Sequence, residues 1–134
     1  MFTFNKKLCT GCGACIVACM AAHTPEPFGE AVQYRRLNRL EGEQDGRPYV
    51  QYEVISCRHC ASPACVDTCP VEAMEKGEDG FVRVDRSVCL GCGACASACP
   101  FGAIQMKRYG PEKCPGCEEK YCVKACPWGV IQWK

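Results

Sequence analysis

No apolar run in this chain approaches 18 residues, so no segment is long enough to cross a bilayer as a helix. Nor is there an excess of one charge. Sixteen Lys and Arg against 15 Asp and Glu leave a formal +1, which points to neither nucleic-acid nor acidic-membrane binding. With the first cysteine at position 9, no secretory leader is expected ahead of it. Arg35-Arg36 lies too deep, with no apolar segment behind it, to act as an export signal. No residue set resembles a nucleophile, an acid–base pair or a substrate pocket, so the chain is not expected to be an enzyme in its own right.

What the chain does have is cysteine: 16 among 134 residues. At that density thiol chemistry must replace part of a hydrophobic core that so short a chain cannot build. The cysteines fall into four groups of four, an internal repeat. The first is Cys9, Cys12, Cys15 and Cys19, spaced C-x2-C-x2-C-x3-C. The second is Cys57, Cys60, Cys65 and Cys69, spaced C-x2-C-x4-C-x3-C and followed by Pro70. Cys89, Cys92, Cys95 and Cys99, followed by Pro100, repeat the short form. Cys114, Cys117, Cys122 and Cys126, followed by Pro127, repeat the long one.

Disulfides, zinc and iron–sulfur clusters are the three chemistries that could use so many thiols. Disulfides need an oxidising compartment, and a C-x2-C-x2-C run points neighbouring thiols at one centre. Zinc favours two C-x2-C knuckles separated by a longer loop, often with histidine. Three thiols within seven residues, and a fourth after three more, is the iron–sulfur arrangement. Its loop supplies three thiolates to one cubane, and its last cysteine serves another. Gly11, Gly13, Gly91 and Gly93 flank the ligands where the backbone must turn tightly around a bulky group. The prolines after the second, third and fourth motifs keep a helix from running through the last ligand. Met20 holds that place in the first motif, the one departure.

The stretch from Cys69 to Cys89 resembles the middle of a bacterial two-cluster ferredoxin. A Glu78-Asp79-Gly80 turn precedes an alternating 81–84 strand, and Asp85 comes just before the next ligand loop. The resemblance implies that motifs two and three form an inner module at 57–100, and that motifs one and four form an outer one from 1–23 and 101–134. The fold class expected is α+β: two nested bacterial-ferredoxin-like (βαβ)2 modules with an added β-hairpin, at 24–56, between the first and second motifs. Ligand exchange of the ferredoxin kind then implies four sets. Cys9, Cys12 and Cys15 go with Cys126, and Cys19 goes with Cys114, Cys117 and Cys122. Cys57, Cys60 and Cys65 go with Cys99, and Cys69 goes with Cys89, Cys92 and Cys95. Tandem pairing, first motif with second and third with fourth, is the alternative.

Four motifs in this nested order look like the iron–sulfur subunit family of dimethyl-sulfoxide-reductase and formate-dehydrogenase complexes. Similar subunits accompany carbon-monoxide dehydrogenases, hydrogenases and tungsten aldehyde oxidoreductases. All four cysteines of the third motif are kept, so the resemblance implies four [4Fe–4S] clusters. The partners it implies are a catalytic redox subunit, with a molybdenum- or tungsten-pterin enzyme favoured, and a second electron donor or acceptor protein. It also implies an anaerobic setting. A free-standing diffusible polyferredoxin is the alternative, and a zinc-binding or labile-cluster regulatory protein is a further one. The chain departs from larger members in having four residues between Cys117 and Cys122 and in ending at Lys134. A minimal carrier without direct membrane insertion is therefore expected. Its expected location is the cytoplasm, with co-export to the periplasm beside a signal-bearing partner as the alternative.

Between the first two motifs, Thr24-Pro25-Glu26-Pro27 should break a short helix over 18–22. Strands are expected over 31–40 and 48–55, joined by a loop at 42–46. This hairpin should cover the clusters, and the clustered Arg35, Arg36, Arg39 and Arg47 could act as counter-charges. A [4Fe–4S]2+ core with four thiolates carries about −2, so four such sites take the chain from +1 to roughly −7. His59 is expected to hydrogen-bond a sulfur or backbone group and not to be a ligand. Trp128 and Trp133 are expected to shield a cluster. No partner is evident for His23.

Overall fold

A computed structural model describes residues 1–24 and 32–134. It is an α+β chain of short helices and antiparallel strand pairs. Proline sets the helix lengths. α1 (Ala14–His23) runs through Cys19 because Met20, not proline, follows it. α2 (Ala64–Thr68), α3 (Ala94–Ala98) and α4 (Tyr121–Ala125) each stop one residue before a Cys-Pro pair. The proline ring drives the preceding residue out of the helical region, and Cys69, Cys99 and Cys126 have ψ of 116, 115 and 112°. α1 closes on Thr24, whose N–H donates to the Met20 carbonyl at 2.9 Å. The rest of the expected breaker, Pro25 to Pro27, lies outside the described residues.

β1 (Phe2–Phe4) pairs with β8 (Ile131–Trp133), Phe2 opposite Trp133 and Phe4 opposite Ile131. β2 (Arg35–Gln44) and β3 (Arg47–Ser56) form a long hairpin. Its turn is shorter than the expected 42–46 loop, and the strands continue to Asp45-Gly46. Asp45 and Gly46 take φ of 54 and 75°, the two positive values of a turn whose twist matches the flanking strands. β4 (Met74–Lys76) pairs with β5 (Val82–Val84), and β6 (Gln105–Lys107) with β7 (Gly110–Glu112). A non-helical turn precedes β4, with Glu72 at φ 54°. α1 packs on α4, and α2 on α3.

Sulfur is part of the interior. One apolar core joins Phe2, Val54, Phe81, Val130 and Ile131 to Cys15, Cys57, Cys114 and Cys122. A second joins Met74, Val82 and Ile104 to Cys95. The hairpin covers the first core only at its base, where Arg35, Val54 and Ser56 are buried, while Tyr49 and Val50 near its tip are exposed. Tyr52 on β3 lies flat against the first ligand loop, where a Cβ on Gly11 would meet its ring at 2.7 Å.

His59, the largest polar side chain among the fully buried residues, is fixed in the seam between strands and ligand loops. Its Nδ1 accepts the Val82 N–H at 2.9 Å. Its ring lies edge-on to Phe81, 5.1 Å between centroids. Burial, reinforced by the Lys113 charge, pushes the imidazole down to about 3, so it is neutral. The expected hydrogen bond is thus to backbone. His23 meets the Tyr34 ring edge-on at 5.5 Å.

Candidate metal centres

Each motif's first three cysteines sit on or beside the loop that opens a helix, with the last just past the helix in motifs two to four and inside α1 in motif one. The short-form loops reach the helix through a left-handed glycine, Gly13 at φ 75° and Gly93 at φ 78°. Packing of α1 on α4 and α2 on α3 then brings cysteines from distant motifs together. One cleft is lined by Cys9, Cys12, Cys15 and Cys126. A second is lined by Cys57, Cys60, Cys65 and Cys99. A third is lined by Cys69, Cys89, Cys92 and Cys95. Three matching sets of four cysteines describe one kind of site made three times.

Three of the remaining four cysteines are the most enclosed. Cys19, Cys114 and Cys122 are 6, 4 and 4% exposed while Cys117 is half-buried, and Cys19 lies within electrostatic reach of Cys114, Cys122 and Cys117. All sixteen cysteines are free thiols, with no disulfide among them. Among the described residues, no three His, Cys, Asp or Glu side chains converge as tightly as a single metal ion requires. A zinc site draws four sulfurs to about 2.3 Å of one point. These sulfurs instead stand around open, apolar-walled clefts, which fits a polynuclear iron–sulfur group.

The electrostatics lead to the same chemistry. Burial pushes the Cys19 thiol up to about 12, and Cys65 and Cys114 up to about 11. Neighbouring thiolates add to the rise for all three. Thiols held this high are protonated near neutrality, and they become thiolates only against concentrated positive charge such as bound iron. Backbone amides already face several sulfurs. Ala73 N–H points at Cys69 Sγ (3.2 Å) and Val130 N–H at Cys126 Sγ (3.4 Å). Both donors lie four residues past the last cysteine of a motif, so the loop after each of these two Cys-Pro pairs turns back over its own cysteine.

The four arginines expected to act together do not. Arg35 is buried at 2% exposure and donates to Cys122 Sγ at 2.7 Å. Arg36 binds the Gly102 carbonyl, Arg39 pairs with Glu41 in solvent, and Arg47 is exposed beside the turn. Position along the hairpin explains this, since Arg35 sits at the base that meets the core while the strands beyond it run out into solvent. A second buried cation, Lys113, donates to the carbonyls of Val82 and Cys114. Sequence reading missed it, and its one signal was a lysine directly before the first ligand of the fourth motif. Trp128 lines the first cleft although it is half exposed. Trp133 instead packs on Phe81 (4.7 Å) and Phe2 (4.8 Å) and lines none of these three clefts.

Comparison with known proteins gives two matches to 4Fe-4S dicluster domains, over residues 48–131 and 8–73. One of the chains of the anaerobic dimethyl sulfoxide reductase of Escherichia coli K12 is 40% identical over 131 residues, covering 89% of this chain and 62% of the relative. An uncharacterised ferredoxin of Methanocaldococcus jannaschii is 43% identical over 126 residues, covering 92% of this chain and 63% of the relative. One of the subunits of the tetrathionate reductase of Archaeoglobus fulgidus is 40% identical over 103 residues, covering 77% of this chain and 46% of the relative. The chain thus spans about 60% of the length of the dimethyl sulfoxide reductase relatives.

Proposed function

This protein belongs to the 4Fe-4S dicluster domain family, and from that premise we propose that it conducts electrons for a larger redox complex. Its two dicluster segments and sixteen cysteines provide for four [4Fe–4S] clusters. Each bound cluster supplies a reversible one-electron couple. The protein's part is to hold the clusters close together, keep water away and neutralise their charge.

The ligand sets of this reading are Cys9, Cys12, Cys15 and Cys126; Cys19, Cys114, Cys117 and Cys122; Cys57, Cys60, Cys65 and Cys99; and Cys69, Cys89, Cys92 and Cys95. The observation that carries it is the three clefts, each lined by three cysteines of one motif and one of another. The reading includes nested modules, outer (1–23 and 101–134) around inner (57–100), with the hairpin at 24–56. The β1–β8 pairing and the α1–α4 and α2–α3 contacts support that nesting.

The order of the line follows from the same contacts. Cys15 of the first set faces Cys122 of the second, and Cys114 of the second lies within reach of Cys57 of the third. Cys69, of the fourth set, shares the second core with Cys65 and Cys99 of the third. Electrons would thus pass first, second, third, fourth, or the reverse. The partner proposed is a catalytic molybdenum- or tungsten-pterin subunit, since the dimethyl sulfoxide and tetrathionate reductase relatives are named as parts of reductases. The Methanocaldococcus relative, named a ferredoxin, favours a second reading as a diffusible carrier. Anaerobic purification separates the two, because only a dedicated subunit carries a molybdenum- or tungsten-containing protein with it.

The anaerobically purified chain is expected to hold about sixteen iron and sixteen sulfide. Cys19→Ala and Cys114→Ala should each remove one cluster's worth of iron. The double variant should remove no more, because both residues serve one site. Tandem pairing puts them on separate sites, so a double variant left with about eight iron would overturn the exchanged sets.

A further inference from the structure

We propose that Arg35 sets the reduction potential of the site formed by Cys19, Cys114, Cys117 and Cys122, an inference resting on the ligand sets given above. Arg35 opens β2 opposite Ser56, and its guanidinium lies under the aromatic side chains of β1, 5.3 Å from the Phe2 ring and 5.7 Å from the Phe4 ring. Nη2 donates to Cys122 Sγ at 2.7 Å. Nε and Nη1 are buried with no hydrogen-bond partner among the described residues. A buried cation with orphan donors is unfavourable unless an anion faces it.

Among the described residues, no carboxylate does so. The ion pairs among the described residues are Arg39–Glu41, Arg83–Asp79, Lys107–Glu112 and Lys124–Glu119. Besides the imidazoles of His23 and His59, the groups that feel the Arg35 charge are thiols: Cys19, Cys114 and Cys122 of this site, and Cys15 of the adjoining one. Among the described residues, Arg35 is the one charged side chain donating to a cysteine sulfur. The other buried cation, Lys113, spends its donors on carbonyls. Arg35 thus marks one site of four.

Reduction brings one electron from an external donor and one further negative charge. A buried guanidinium in contact with a ligand sulfur favours the more negative state and raises that site's potential. Arg35 is a positioning residue in this sense, acting on the site through charge and N–H donation without ligating it.

EPR-monitored redox titration of the iron-loaded chain with Arg35→Met provides the test. The variant should keep wild-type iron, and one of four midpoints should fall by at least tenfold in its reduction equilibrium, about 59 mV for one electron. The first site should shift less and the two inner-module sites hardly at all. Arg35→Lys should recover most of the fall. Full iron with no shifted midpoint, or an equal shift at all four, overturns the proposal. If Arg35→Met loses iron, Arg35→Lys decides. A smaller fall at one midpoint supports the role, and four unchanged midpoints overturn it. If one midpoint falls but its signal survives Cys114→Ala, the ligand set has failed and not the tuning. Wild-type iron well below sixteen would refute the four-cluster reading before Arg35 is reached.

Discussion

Stripped of its iron, the chain is expected to lose cooperative tertiary structure altogether. Three of the four α-helices among the described residues are five residues long, far below the length at which a helix persists alone. Apart from the hairpin, each described strand has three residues. Six of the sixteen buried apolar residues described are cysteines of the four motifs, so on the proposed reading much of the interior would pack around iron. Metal binding in small sites contributes roughly 10–16 kcal/mol to folding, as much as a typical domain's whole stability of about 5–15 kcal/mol. Chelator treatment under anaerobic conditions should abolish the thermal unfolding transition and collapse amide dispersion in NMR spectra. An iron-free chain that still melts cooperatively would defeat this account.

The direction of the pH dependence follows from the thiols. Free thiols raised to about 11–12 in the fold bind protons more tightly than in the unfolded chain. Any stability they lend to iron-free protein is present below about 9 and lost as pH climbs toward 12. Iron ligation reverses the sign, because every ligand must give up its proton. The loaded protein should therefore fail on the acid side, releasing iron and visible absorbance as pH falls. Increasing acid resistance would contradict all-thiolate ligation.

Gly116→Ala should be the most damaging single methyl that can be added. Gly116 lies between Cys114 and Cys117 at φ 77°, and a Cβ there would stand 2.4 Å from Cγ of Phe81. Phe81 cannot retreat, since it is buried and packed on His59 and Trp133. Left-handed strain of about 1–2 kcal/mol and overpacking of about 1–3 kcal/mol combine to roughly 2–5 kcal/mol. Backbone moving to relieve the clash carries two ligands with it, so iron should be lost as well. Gly46→Ala, in the hairpin turn, is the control. Its φ of 75° brings the same strain, but nothing lies within 4 Å of the new methyl, so the loss should stay near 1–2 kcal/mol. Equal thermal midpoints and iron contents in the two variants would refute the packing argument.

What was legible in the amino-acid order is what short-range geometry dictates. Cysteine spacing specified the ligand loops, and Cys-Pro pairs specified where α2, α3 and α4 end. Met20 in place of proline is why α1 runs on to His23. These are consequences of excluded volume within a few bonds. Asp45-Gly46 carried the hairpin turn, although the loop was read too wide because the strong pairing of β2 with β3 extends to its last residues. Tertiary structure decided which thiols share a cleft, since Cys9 and Cys126 meet only when α1 packs on α4. It also separated Arg35 from Arg36, Arg39 and Arg47, which in one dimension are the same charge, and it seated Phe81 against Gly116. Burial is a property of the assembled interior and not of the residue. The chemistry of each loop was therefore readable from the chain, while the charge that tunes a site was readable only from the fold.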